Sequence, residues 1–97
     1  MKGYMYILEC SNGRFYVGST NNLERRISEH QNGHGYNYTK ERLPVELIYY
    51  EEFNRIDEAF KREQQIKGWS RVKKIALIEN NHSQLPRLSK SKSKKRK

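Results

Sequence analysis

The 97-residue chain carries a few side chains whose types and spacing suit proton transfer and anion binding. Arg26 and His30 stand four residues apart in a segment of helical period, so a guanidinium and an imidazole meet on one flank. That flank lies beside the apolar stripe of Leu23 and Ile27, not opposite it. Glu63 stands in a later helical segment whose apolar stripe runs through Ile56, Ala59/Phe60 and Ile66. The period calls for an apolar residue at 63, and a carboxylate on a core-facing stripe must be paired, protonated or bound to a cation. The plainer alternative is an ion pair with Lys67, or with the neighbourhood of Arg62, on a solvated face. Tyr6 and Tyr16 lie on two apolar stretches that read as paired strands. They are either half-buried strand residues with hydroxyls at the rim, or phenols directed at one reacting group.

The elements that must position these groups are legible in order. Tyr4–Cys10 alternates apolar and aromatic residues and reads as a strand. Ser11-Asn12-Gly13-Arg14 is a hairpin turn, and Phe15-Tyr16-Val17 returns antiparallel. A turn at Gly18-Ser19-Thr20 leads into a helix over about Asn21–Asn32, with Asn21 or Thr20 as its cap and Gly33 as its stop. Residues 33–44 read as a polar, irregular connection. Val45–Phe53 is a third strand, with Val45, Leu47 and Tyr49 on one face. Asn54 offers a cap for a helix over Ile56–Lys67, which stops at Gly68. Ser70 caps a last helix over Arg71–Glu79, whose apolar surface comes from Val72, Ile75, Ala76 and Ile78. The fold class is α+β: a small three-stranded antiparallel sheet flanked by three helices, in the order β-β-α-β-α-α. Residues 1–82 form one domain, and 83–97 a basic, disordered tail.

Composition limits the function classes. A single cysteine, Cys10, excludes an internal disulfide framework and fits a reducing compartment. No apolar run approaches the ~20 residues of a membrane span, and the N-terminus does not read as a signal peptide, so the expected location is cytoplasmic. Cys10, His34 and His82 do not make a zinc site. The net charge is +9, but seven Lys and Arg fall between Arg87 and Lys97, leaving 13 basic against 11 acidic residues elsewhere. The excess therefore belongs to the tail, which adds non-specific affinity for a polyanion. Taken alone, the tail would also suit a small basic RNA- or ribosome-associated protein.

Tyr4-Met5-Tyr6, then Tyr16-Val17-Gly18, then Arg26 and His30 in one helix and Arg62-Glu63 in another, together resemble the GIY-YIG nuclease superfamily. The match is closest to its small bacterial stand-alone UPF0213 branch and covers about Met1 to Ile78. The resemblance implies a metal-dependent DNA endonuclease that hydrolyses phosphodiester bonds, with DNA repair or recombination as its setting. Residue by residue, it implies that Tyr6 and Tyr16 are the tyrosines of the two half-motifs. Gly18 is then the glycine that lets the backbone approach the site. Arg26 is the catalytic arginine, His30 the helix histidine and Glu63 the metal-binding carboxylate. The glycine that opens the first half-motif in the family is Tyr4 here. Neither Asn80 nor Asn81 is assigned to the later asparagine of several family enzymes.

The chemistry so implied is coherent. One Mg²⁺ or Mn²⁺, held by Glu63 and waters, would act as a Lewis acid on phosphate or leaving oxygen. Arg26 would fork onto non-bridging oxygens. Tyr6 would orient the water or accept its proton, His30 would take that proton onward, and Tyr16 would bond the phosphate or hold the water. The loop Tyr36–Arg42 interleaves aromatics and cations and could stack bases and neutralise phosphates, or be an ordinary polar loop. From it Tyr38, Lys40 and Arg42, together with Lys67 of the second long helix, are the nucleic-acid-binding candidates. The expected partner is DNA, with no membrane, no small-molecule cofactor and a monomeric chain. The alternative is a nucleic-acid-binding protein that retains the nuclease fold with negligible turnover.

Overall fold

The computed structural model describes residues 1–34 and 39–80 in full and 37 and 38 as backbone. The tail expected at 83–97 lies outside the described residues. The elements are β1 (Gly3–Glu9), β2 (Phe15–Thr20), α1 (Leu23–Gln31), α2 (Asn37–Lys40), β3 (Glu46–Phe53), α3 (Ile56–Lys67) and α4 (Arg71–Asn80). This is the expected order, with one four-residue helical turn, α2, inside the connection that reads as irregular.

The sheet is antiparallel, in the order β2-β1-β3. The β1–β2 hairpin closes with Cys10 N–H on the Arg14 carbonyl at 2.8 Å, and Gly13 supplies the positive φ of +84° that the turn requires. Because side chains alternate across a strand, β1 feeds two cores. Met5 and Ile7 join Val17, Tyr49, Ile66 and Ile78 beneath α3 and α4. Tyr6 and Leu8 join Cys10 and Val45, with Leu23 and Ile27 of α1 packed against them. A central strand buried on both sides accounts for the nearly unbroken burial of Met5, Tyr6, Ile7 and Leu8.

Strand β3 departs from the simple alternation. Leu8 faces Leu47 but Ile7 faces Tyr49, so Ile48 is an extra residue, a β-bulge. Val45, Leu47 and Tyr49 therefore do not share a face: Val45 and Leu47 lie on the α1 side, while Tyr49 is buried on the α3 side. The bulge depends on pairing with β1, which no local pattern encodes.

The caps also differ in part. Asn22, not Asn21 or Thr20, caps α1 by accepting from Arg25 N–H at 3.1 Å. Thr20 instead accepts from Asn22 N–H and so sets the cap in place. Gly33 stops α1 at φ +78°. Helix α3 begins at Ile56 with Arg55 in the N-cap position and no side-chain cap, so Asn54 does not serve. Its entry is held by Arg55 forking onto Asp57 at 2.9 and 3.0 Å. Ser70 caps α4 as expected, accepting from Lys73 N–H. The core contact of α4 comes from Leu77 and Ile78, while Val72 points to solvent, 77% exposed.

Two neighbours on α3 fasten it across the sheet. Arg62 forks onto Glu51 of β3 at 2.8 and 3.1 Å, and that carboxylate also accepts from the Tyr49 hydroxyl. Glu63 turns the other way and accepts from Ser19 Oγ of β2. The helix thus spans both outer strands, which fixes where Glu63 points.

Candidate active site at the outer edge of strand β2

The sequence-predicted residues gather around one strand, from both of its faces. Tyr6, Tyr16 and His30 lie on the α1 side. The Tyr6 hydroxyl is 3.0 Å from His30 Nε2, and His30 Nδ1 is 2.8 Å from Thr39 Oγ1. Tyr6, His30 and Thr39 expose none of their surface. The half-buried Tyr16 ring covers this chain, centred 5.2 Å from His30 and 6.4 Å from Tyr6.

Gly18 makes the arrangement sterically accessible. A Cβ at that position would stand 2.5 Å from the Tyr6 oxygen and 2.6 Å from Cζ. The phenol tip therefore lies against bare backbone of β2, a close approach that only glycine allows.

The electrostatics suit a proton acceptor. Burial pushes the His30 pKa below its ordinary value, and the positive charge of Arg26 adds to the effect against a weaker opposing pull from Glu29. The imidazole is therefore neutral near pH 7. With Nδ1–H donating to Thr39, the Nε2 lone pair is left for the Tyr6 hydroxyl.

Arg26 projects from the same helix to the end of β2. Its Nε lies 3.3 Å from Glu29, and its side chain is 29% exposed. It lines a groove with Ser19, Thr20, Asn21 and the α3 residues Asp57 and Phe60. Glu63 comes from the other face of the sheet. It is 7% exposed, with one carboxylate oxygen toward Ser19 and the other 2.7 Å from Lys67 Nζ. Ser19 links the two sides, because it bonds Glu63 and lines the groove of Arg26. Glu63 thus keeps its place on the buried stripe and still pairs with Lys67, but not on a solvated face.

The nucleic-acid candidates are less concentrated. Lys67 is held on Glu63. Lys40 is exposed at the end of α2. Arg42 is half-buried, 4.0 Å from Glu41, and its carbonyl accepts from Ser11 N–H of the hairpin. The side chain of Tyr38 lies outside the described residues.

Sequence reasoning passed over Thr39 and Ser19. Thr39 sits in a stretch without periodicity, and its only signal is that a buried histidine needs a partner for its second nitrogen. Ser19 reads as a turn residue until α3 is laid across β2.

A carboxylate this buried already carries a cationic partner in the Lys67 ammonium. Among the described residues no three His, Cys, Asp or Glu side chains cluster as a protein cage for a metal. A single hard-oxygen ligand is chemically suited to Mg²⁺ or Mn²⁺, which keep much of their hydration, but both Glu63 oxygens already have partners in Ser19, Lys67 and Gln64 that an ion would have to displace.

Comparison with known proteins shows the family and the fold. The model of the GIY-YIG catalytic domain matches residues 2–76. A UPF0213 protein of Staphylococcus saprophyticus is 49% identical over 77 residues, covering 79% of this chain and 94% of that protein. Another, from Natronomonas pharaonis, is 45% identical over 75 residues, covering 77% and 88%. The solution NMR structure of a UPF0213 protein from Bacillus halodurans superposes with a TM-score of 0.57 at 39% identity, covering 84% of this chain and 87% of that one. That of a protein from E. faecalis gives 0.58 at 37% identity, covering 84% and 88%.

Proposed function

This chain belongs to the GIY-YIG family, and from that membership we propose that it is a metal-dependent endonuclease hydrolysing phosphodiester bonds in DNA. The observation that carries the reading is the buried chain Tyr6–His30–Thr39, set beside Arg26 at the end of one strand. A neutral imidazole hydrogen-bonded to a phenol can relay a proton, which supports the reading.

In this reading Arg26 grips the non-bridging oxygens of the scissile phosphate, because a planar guanidinium matches them bidentately. Tyr16, the less buried phenol, bonds the phosphate or the attacking water. Tyr6, whose hydroxyl is buried against the Gly18 backbone, would give its proton to His30 Nε2 as it takes one from the attacking water, a step that requires the covering Tyr16 ring to give way when substrate binds. Thr39 holds the resulting imidazolium through Nδ1–H. Glu63 would hold the divalent ion, which when bound supplies Lewis-acid stabilisation of charge on phosphate and leaving oxygen. Lys67 must then give up its place on Glu63 and becomes available to a phosphate.

The Lys67–Glu63 ion pair also favours a second reading, in which Glu63 is structural and the protein binds nucleic acid with negligible turnover. A nuclease assay over several DNA structures, with Mg²⁺ or Mn²⁺, separates the two. The endonuclease reading expects cleavage by wild type and none by Glu63→Ala. The binding reading expects none by either.

A further inference from the structure

The hairpin end of the sheet carries a second cationic cluster that the candidate site does not use. A groove there is lined by Asn12, Gly13, Arg14, Phe15, Arg71 and Lys74. Three of these residues are cations and none is acidic. Arg71 donates to the Gly13 carbonyl at 2.8 Å, and its guanidinium lies 4.4 Å from the centre of the Phe15 ring. Both contacts hold the fork in place without cancelling its charge. One residue before Lys74, the Lys73 ammonium rests 4.3 Å from the centre of the Trp69 ring. Among the described residues, no carboxylate lies within ion-pair distance of Arg14, Arg71, Lys73 or Lys74. The first turn of α4, which supplies three of these cations, contains no acid, so its helix dipole adds to the positive field.

The cluster is placed along the same outer strand as the candidate site. Phe15 opens β2 and Ser19 lies four residues further on. At ~3.3 Å per residue the two are about 13 Å apart. A free phosphate or a nucleotide cannot touch both, whereas a regular polyanion can. One DNA strand advances ~3.4 Å per nucleotide along the helix axis, so the gap corresponds to about four nucleotides.

We infer that Arg14, Arg71 and Lys74 form a second DNA-binding site, which holds the sugar–phosphate backbone about four nucleotides from the bond at the Arg26 end of β2. The choice of DNA among polyanions rests on the nuclease reading. The substrate must then extend several nucleotides past the cut on one side.

The test uses the full chain with Arg14→Ala and Lys74→Ala together, sparing Arg71 because it also braces the hairpin. Binding to a fluorescently labelled duplex is followed by anisotropy over a salt series in EDTA. The slope of log K against log salt should fall by about 1.8, from ~0.9 for each lost phosphate contact. The charge-preserving pair Arg14→Lys and Lys74→Arg should keep the wild-type slope, which a defect of folding would not. A double alanine variant with the wild-type slope overturns the inference. Cleavage is scored separately. A wild type that cuts nothing while the alanine pair still loses slope removes the nuclease reading and leaves this site standing. A wild type that cuts, with the slope unchanged, does the reverse.

Discussion

The Tyr6 hydroxyl lies 3.0 Å from Nε2 of His30, and neither side chain exposes any surface. The two come from the central strand and from the helix that covers it, 24 residues apart in the chain. Their contact is bounded on one side by Gly18 and on the other by Thr39. Each boundary can be altered separately.

Gly18→Ala places a methyl 2.5 Å from the Tyr6 oxygen. The ring is fully buried and cannot swing away freely, so overpacking should cost about 1–3 kcal/mol in urea denaturation. Cleavage should fall more steeply than stability explains, since the phenol is displaced from His30. Wild-type activity in this variant would show that the Tyr6 oxygen does not need its present position.

Thr39→Val keeps the shape of the side chain but leaves His30 Nδ1 without its hydroxyl. Losing that buried hydrogen bond should cost about 0.5–1.5 kcal/mol, and kcat should drop with KM little changed. Thr39→Ser should restore both. Equal rates for the valine and serine variants would remove Thr39 from the proton path.

His30 sets a pH dependence of stability. Its pKa in the fold is lowered, so between the folded and unfolded values the unfolded chain binds more protons than the native one. Its contribution is therefore fully present above the unfolded value of ~6.5 and is lost as pH falls below it towards the folded value. Urea midpoints measured down a pH series should decline in that window for wild type, and this component should be missing from His30→Asn. Parallel curves for the two proteins would contradict the assignment.

If Glu63 holds the metal as proposed, Lys67, 2.7 Å away and half-exposed, competes for the same carboxylate. Lys67→Met should lower the Mg²⁺ concentration giving half-maximal cleavage several-fold, because an ammonium no longer has to be displaced. An unchanged metal requirement would mean that the ion pair and the metal do not share Glu63.

Much of this site was legible in the sequence because its residues sit on elements of strong period. The spacing of Arg26 and His30 placed both on α1 beside Leu23 and Ile27, and the misfit of Glu63 in the stripe of α3 pointed to a buried carboxylate. The order of strands and helices followed from the same periodicities and from Gly13 and Gly33. What was not legible depends on contacts between distant segments. The bulge at Ile48, which puts Leu47 and Tyr49 on opposite faces, exists only in register with β1. Thr39 is defined by a histidine nine residues away across an aperiodic connection. The link from Glu63 to Ser19 spans 44 residues and appears only once α3 is anchored to β3 through Arg62 and Glu51. The start of α3 misled for a local reason: Asn54 has the right chemistry for a cap, but the helix begins after Arg55 and leans on Asp57 instead.

The central claim is that Glu63 holds the ion that DNA cleavage requires. The most direct measurement compares wild type with Glu63→Gln, scoring DNA cleavage in Mg²⁺ and DNA binding in EDTA on the same substrate. Glutamine keeps the shape and can still bond Ser19, but it removes the charge that holds the metal. The account predicts cleavage by wild type and none by the variant, with binding equal or tighter because one anionic repulsion is gone. Cleavage by Glu63→Gln at the wild-type rate would contradict it and leave Glu63 as the ion-pair partner of Lys67.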